Sequence, residues 1–334
     1  MKFIDLAPEQ QLRLLNQVNA FTNQDQITIE KDWWVTQVLK AIFALPYAKE
    51  LSFKGGTSLS KAWEIIDRFS EDIDIAISRE YLGFGGELSK NQVSDRLRRA
   101  SCTFVRETMK NDIHSQLVSQ GISEDLFDVK VNITPISTTD PEVIWVNYHS
   151  ILPMSEYIVN SVKVEVSGRS MQEPLVDVEM AALIDKYIQN STVEKSVFVG
   201  HVVAPERTFL EKMMLLHEEF AKPLADVRTE RMSRHLYDLY RMMLTPIADK
   251  ALSNTVLYRS VMEHRRKFIG LRNFDYDTLQ PSRLSLVIPT EVVSLWKTDY
   301  ERMRKTMIYG SSPSWNELIS TLQKLQDKVR MVKL

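Results

Sequence analysis

The sequence predicts an α+β protein, and three observations carry that expectation. Only 10 glycines occur in 334 residues, with long stretches of helical periodicity between them. Short alternating or turn-bounded apolar runs gather between residues 51 and 166 and read as strands. Beyond Pro174 the pattern turns helical again. Hydrophobic residues at 44% and charged residues at 26% are ordinary globular proportions, which excludes a disordered or collagen-like chain.

Taken in order, Pro8 opens a helical pattern with Leu12, Leu15 and Val18 on one side. A second runs from about Thr28 to Leu45, where Trp34, Val35, Val38, Leu39 and Ile42 recur at three- and four-residue steps. Leu51 to Phe53 is a short apolar strand, broken by Gly55-Gly56, and Ser58 to Ile66 is expected to be helical. Asp72 to Ser78 alternates, with Ile73, Ile75 and Ile77 on one face and Asp72 and Asp74 on the other, as a half-buried strand does. Lys90 to about Ser119 is polar and helix-compatible. Strands are expected at Phe127–Ile133, Val143–His149 and Ile158–Val166. The second half is read as helix from Val178 to Ile188, a short strand in VFVGHVV, and a helix from Pro205 to about Phe220. Further helices are expected over 231–244, 247–266, 290–309 and 314–330. The polar GRSMQEP segment then separates an N-terminal domain, 1–172, from a mostly helical domain, 173–334.

Lys plus Arg number 42 and Asp plus Glu 44, a net charge of −2, so any nucleic-acid contact must come from a local patch. One cysteine, Cys102, makes an intramolecular disulfide impossible and fits a reducing, cytoplasmic setting. The N-terminal segment lacks the apolar core of a signal peptide, and no stretch approaches the ~18 apolar residues of a membrane span. The six histidines form no HxxxH or HxH pair, so zinc catalysis has no support. Trp33, Trp34 and the paired methionines at 213–214 and 242–243 fall on apolar helical spacing and are read as core.

The chemistry concentrates in Lys54-Gly-Gly-Thr-Ser58 followed by Phe69-Ser-Glu-Asp72-Ile-Asp74. A strand ending in two glycines and entering a helix lets backbone N–H groups approach a phosphate, and Thr57 and Ser58 could add hydroxyl donors. Asp72 and Asp74 stand at i and i+2 on one strand and share a face. Two carboxylates beside a phosphate cradle suit Mg²⁺ or Mn²⁺, hard ions that take one or two protein carboxylates plus the substrate's phosphates. A third acid would permit two metals. Either motif alone is usually a turn or a solvated strand face; their order and spacing together are much rarer.

Glycine turn, short helix, then DxD on a strand is the layout of the DNA polymerase β-like nucleotidyltransferase superfamily, and KGGTSLSKAWEIIDRFSEDIDI resembles the AbiEii/AbiGii toxin family, MenT toxins included. Arg68, Phe69, Ser70, Asp72 and Asp74 match that family's first motif in order, and EKDWWVTQVLKAIF over 30–43 resembles its upstream Glu-Lys-Asp-Tyr/Trp segment. Its second constellation, a lysine and then an Arg-Asp-x-x-Asp-Leu helix, matches PERTFLEK to Lys212 and RHLYDL to Asp238. By that match Lys212 contacts phosphate and Asp238 is an acid near the catalytic centre. The family's first aspartate there is His235 in this chain, read as a structural substitute rather than a proton carrier. Taken alone, Lys212 would be a solvated helix lysine.

In polymerase β-like folds the third carboxylate sits on a later strand. Glu165, in the alternating Val162-Lys-Val-Glu-Val, is the preferred candidate; Asp128 competes, and Lys163 and Glu165 could instead merely line a wet sheet face. Arg169 could reach a phosphate or cap its loop, and Ser70 lies close enough to Asp72 to contact a phosphate or be modified.

The resemblance implies a polymerase β-like domain plus a helical domain, and a metal-dependent transfer of NMP from an NTP to an acceptor hydroxyl. A tRNA 3′ end is the favoured acceptor. It further implies a toxin of a toxin–antitoxin or phage-defence pair with a cognate antitoxin encoded nearby. Transfer to protein hydroxyls or to Ser70, an NTP-binding switch without turnover, and a non-enzymatic partner module are the rivals. Arg228, Arg231, Arg234 and Arg241, with His264-Arg-Arg-Lys267, Arg302, Arg304 and Lys305, give the helical half local basic density. A solvated face is the default for these, and an RNA surface the second reading.

Overall fold

The computed structural model describes residues 1–131, 142–153, 158–188 and 193–334. The chain divides into two compact units, one of residues 1–62 and 69–203, the other of residues 63–68 and 204–334.

The first unit is a mixed seven-stranded sheet with helices. Its strands are β1 (Leu51–Lys54), β2 (Ile73–Ile77), β3 (Phe127–Val131), β4 (Glu142–Tyr148), β5 (Ser161–Ser167), β6 (Leu175–Met180) and β7 (Phe198–Val203). They lie in the order β3-β4-β5-β2-β1-β7-β6, with β2·β5 and β1·β7 parallel and the other pairs antiparallel. Its helices are α1 (Pro8–Thr22), α2 (Gln26–Phe43), α3 (Gly55–Lys61), α4 (Leu97–Phe104), α5 (Lys110–Ser119) and α6 (Leu183–Tyr187). Helical structure runs unbroken over 90–119, as the polar pattern there predicts.

Helix α2 is the hub. Asp25 caps it by accepting from Thr28 N at 2.7 Å, and nearly every residue from Thr28 to Ile42 is buried. It packs against α1, α5, α6, β5 and β7. A helix covered on every side can carry the indole pair expected in the core: Trp33 meets Trp34 edge-on at 5.2 Å, and Trp34 stacks on Tyr148 at 4.9 Å.

Three expectations shift. The helix read from Val178 begins as a strand, because Leu175-Val-Asp-Val-Glu-Met alternates and pairs antiparallel with β7, leaving only α6 helical. Since β6 and β7 extend the sheet, the division falls at 203/204 rather than 172/173. The helix from Ser58 does not reach Ile66. It closes at Lys61, and residues 63–68 belong to the second unit, where Asp67 O accepts from Tyr309 N at 3.1 Å and Arg68 bridges Ile308. Asn132 and Ile133, expected to end the strand at Phe127, lie outside the described residues.

The second unit is helical: α7 (Pro205–Phe220), α8 (Ser233–Met243), α9 (Ile247–Ser253), α10 (Thr255–His264), α11 (Val293–Thr306) and α12 (Trp315–Arg330). The single helix expected over 247–266 is two, because the Asn254 side chain accepts from Leu257 N at 3.0 Å and starts α10 afresh. Asp299 of α11 accepts from Ser233 N at 2.9 Å and Arg231 N at 2.7 Å at the start of α8. No helix among the described residues is long and apolar enough to cross a membrane.

Trp34→Ala should cost about 3–5 kcal/mol, the range for removing a fully buried large aromatic, measurable as a lower urea midpoint.

Candidate active site

β1 delivers the chain to Gly55, which has φ +82°, and α3 starts there. A β-carbon at Gly55 would sit 1.9 Å from Asp74 Oδ2, so both the backbone conformation and the closeness of the carboxylate require glycine. The registers Lys54↔Asp74 and Asp74↔Glu165 then line up one residue from each of β1, β2 and β5. Ile73 and Ile75 are buried on the other face, and Asp72 and Asp74 are half-buried. The preferred third acid is therefore the strand neighbour of Asp74. Asp128 sits on edge strand β3, three strands away from β2, ion-paired with Lys130.

Lys163 stands among these acids. Its ammonium donates to Glu165; burial alone would lower its pKa, but Glu165, Asp72 and Asp74 together raise it. A cation already drawn to carboxylate oxygens is the observation that tests the donor set, and an all-oxygen set suits a hard ion such as Mg²⁺ or Mn²⁺. Among the described residues no three His, Cys, Asp or Glu side chains are gathered closely enough to hold an ion by themselves. Ligation by this set would thus draw on substrate oxygens as well.

The hydroxyls of the glycine turn point inward. Thr57, buried, donates to Asp72 O at 2.5 Å and lies 2.9 Å from Ser70 Oγ, tying α3 to the acid turn. Ser58, also buried, donates to Gly55 O at 2.9 Å. Gly56 and Lys54 are half-buried. Arg169 lies past the end of β5, its N–H donating to Ser167 Oγ at 3.2 Å, and is not brought beside the acids by the register.

In the second unit, Lys212 on α7 and Asp238 on α8 meet at 2.8 Å. Arg68 grips the same carboxylate with both arms, Nε to Oδ1 at 2.7 Å and an Nη to Oδ2 at 2.8 Å. All three are buried, Asp238 completely. Burial would raise the Asp238 pKa, yet Arg68 and Lys212 hold it far below the usual carboxylate range. Burial lowers the Lys212 pKa, with Asp238 opposing and Arg68 adding to the fall. His235 Nδ1 is 3.4 Å from Lys212 Nζ, and burial with Lys212 and Arg234 beside it pushes its pKa well down, so the ring is neutral. Two cationic side chains share one carboxylate. Arg68 was visible in the motif but only as a match; nothing local says its partner is 170 residues away.

The basic residues Arg228, Arg231, Arg234 and Arg241 do not share one helix face. Arg228 and Arg231 precede α8, and Arg228 is held by Glu219, with an Nη at 2.6 Å. Arg265 is buried in a two-armed pair with Glu218, at 2.5 and 2.6 Å. Arg265 is thereby taken into the fold, whereas Arg228 and Arg231 stay exposed.

Gly55→Ala should destabilise by at least about 1–2 kcal/mol from the left-handed backbone alone, and displace Asp74, read by urea unfolding. Asp238→Asn should cost about 3–5 kcal/mol, because it removes the negative charge that Arg68 and Lys212 share inside the protein. Since the folded carboxyl titrates below its unfolded value, the wild-type advantage is complete above about pH 4 and shrinks below it. Unfolding curves at pH 7 and pH 3 check the sign.

The sequence over residues 37–326 matches the family described as nucleotidyl transferase AbiEii toxin, type IV TA system. Among solved structures, the chain is similar to MenT4, a nucleotidyltransferase toxin of Mycobacterium tuberculosis H37Rv, at 15% identity and a TM-score of 0.41, over 92% of this chain and 94% of that one. No curated protein matches the sequence significantly. With the family match spanning most of its length, the chain belongs to the AbiEii family of nucleotidyltransferase toxins of type IV toxin–antitoxin systems.

Proposed function

We propose that the protein transfers a nucleoside monophosphate from an NTP to the 3′ hydroxyl of a tRNA, releasing pyrophosphate, as the cytoplasmic toxin of a toxin–antitoxin pair that acts in phage defence. The observation that carries this reading is the register that sets Asp74 beside Glu165, with Asp72 two residues upstream, in a chain of nucleotidyltransferase family. The RNA acceptor and the nearby-encoded antitoxin are supported by the resemblance to AbiEii/AbiGii toxins.

Asp72 and Asp74 are the residues assigned to Mg²⁺ or Mn²⁺, with Glu165 as the third acid. When bound, such an ion offsets triphosphate charge and polarises the phosphorus under attack. Lys163 offsets the repulsion among the acids, and Gly55 and Gly56 let backbone N–H groups reach phosphate without a side chain in the way. Thr57, through Asp72 O and Ser70, holds the acid turn against that glycine turn. Lys212 is assigned a phosphate contact, and Asp238 opposes the fall in its pKa that burial causes. The acceptor oxygen forms its bond to the α-phosphorus as the bond to the β-phosphate's bridging oxygen breaks.

Purified protein incubated with each α-labelled NTP, Mg²⁺ or Mn²⁺, and bulk tRNA or protein provides the test. Label on RNA with stoichiometric pyrophosphate is the expected result, and Asp74→Asn should reduce it to background without unfolding the protein. Label on protein, Ser70 included, would move the acceptor to protein hydroxyls. NTP binding without label would make the chain a nucleotide-binding switch.

A further inference from the structure

Helix α2, nearly all of whose residues from Thr28 to Ile42 are buried, carries three consecutive charged residues, Glu30, Lys31 and Asp32. Successive helical residues point about 100° apart, so three in a row sweep more than half the circumference. None can retreat to solvent together with its neighbours, and burying a charge is costly unless it is paired and hydrogen-bonded.

Each of the three is paired, and each with a different segment. Glu30, fully buried, accepts from the Ser150 hydroxyl and from Ile151 N at 3.1 Å, just beyond β4. Lys31, 2% exposed, binds the Glu71 carboxylate and donates to Val159 O at 2.9 Å. Asp32 accepts from Lys61 Nζ at 2.6 Å and from Leu183 N at 2.7 Å, where α6 starts. The partners are not scattered. Glu71 immediately precedes Asp72. Val159 leads into β5, which bears Glu165. Lys61 ends the helix that begins at Gly55 against Asp74.

We propose that Lys31 and Asp32 are positioning residues for nucleotidyl transfer: Lys31 through Glu71, and Asp32 through Lys61, clamp the acid turn and the glycine-turn helix so that Asp72, Asp74 and Glu165 keep their mutual placement. This rests on the reading of those acids given above. Buried ion pairs add little net stability compared with apolar groups of similar volume, so stability alone gives little reason for two adjacent ones beside a buried, hydrogen-bonded Glu30. Placement of the reacting groups does give a reason, because a displacement near 1 Å can cost roughly 10²-fold in rate.

The test compares the full-length wild type with Lys31→Met, the double variant Lys31→Met/Glu71→Met, Asp32→Asn and Asp74→Asn. Three quantities are read: kcat and KM for labelled NMP transfer, Mn²⁺ affinity by electron paramagnetic resonance without turnover, and the urea midpoint. Lys31→Met should lose stability and rate together, because it removes the buried cation that holds the Glu71 carboxylate. The double variant should regain most of the urea midpoint while kcat stays down by roughly 10²-fold and Mn²⁺ binds more weakly. Asp32→Asn keeps an acceptor for Leu183 N but not the charge facing Lys61, and should lower kcat without changing KM in proportion. A double variant with wild-type kcat and Mn²⁺ affinity would reduce the pair to a structural one while leaving the acids' assignment intact. Asp74→Asn with undiminished transfer and Mn²⁺ affinity would instead remove the reading on which the proposal stands.

Discussion

The carboxylate of Asp74 lies against the backbone of Gly55 and in register with Glu165, and like charges held that close must be compensated inside the sheet. Lys163, two residues before Glu165 on the same face of the same strand, supplies the compensation. Much of the first unit follows from keeping this arrangement. A one-residue slip of β2 against either neighbour would turn Asp74 into the core and Ile73 or Ile75 outward, so the isoleucine alternation enforces the acid face. Glycine at position 55 is required by the same contact, since no side chain fits between α3 and Asp74.

The second unit solves the opposite problem. Asp238 is fully buried, and Arg68 and Lys212 converge on it from a six-residue segment and from α7. Here a single anion organises two cations. His235 stays neutral beside Lys212 and so adds no further cation there. The chain itself links the two clusters: Arg68 is four residues from Asp72 and six from Asp74.

Charge placement on α2 shows how these units divide labour between apolar and polar contacts. Trp33, Trp34, Val38 and Ile42 bury the helix, and Glu30, Lys31 and Asp32 then become directional ties. The apolar residues say that the segment is inside; Glu30, Lys31 and Asp32 say against what.

Alternation and helical spacing were enough to place β1, β2, β5, β7, α1, α2 and α7 within a few residues, because each repeats a period that only one backbone conformation can bury on one side. The acid pair, the glycine turn and the family were legible for the same reason: their chemistry depends on spacing of one to about twenty residues, which the chain displays directly. Other features were decided only by tertiary structure. Val178 to Met180 passes for the start of a helix until β7 offers the alternating Leu175–Met180 segment an edge to pair with. Arg265 reads as part of a basic stripe until Glu218 draws it into the interior, and Arg228 stays exposed while paired with Glu219. Lys163 shares a strand face with Glu165, but only the parallel pairing of β2 with β5 brings Asp72 and Asp74 to it. Arg68 and Asp238 are 170 residues apart, and a contact of that kind leaves no periodic trace in a single sequence.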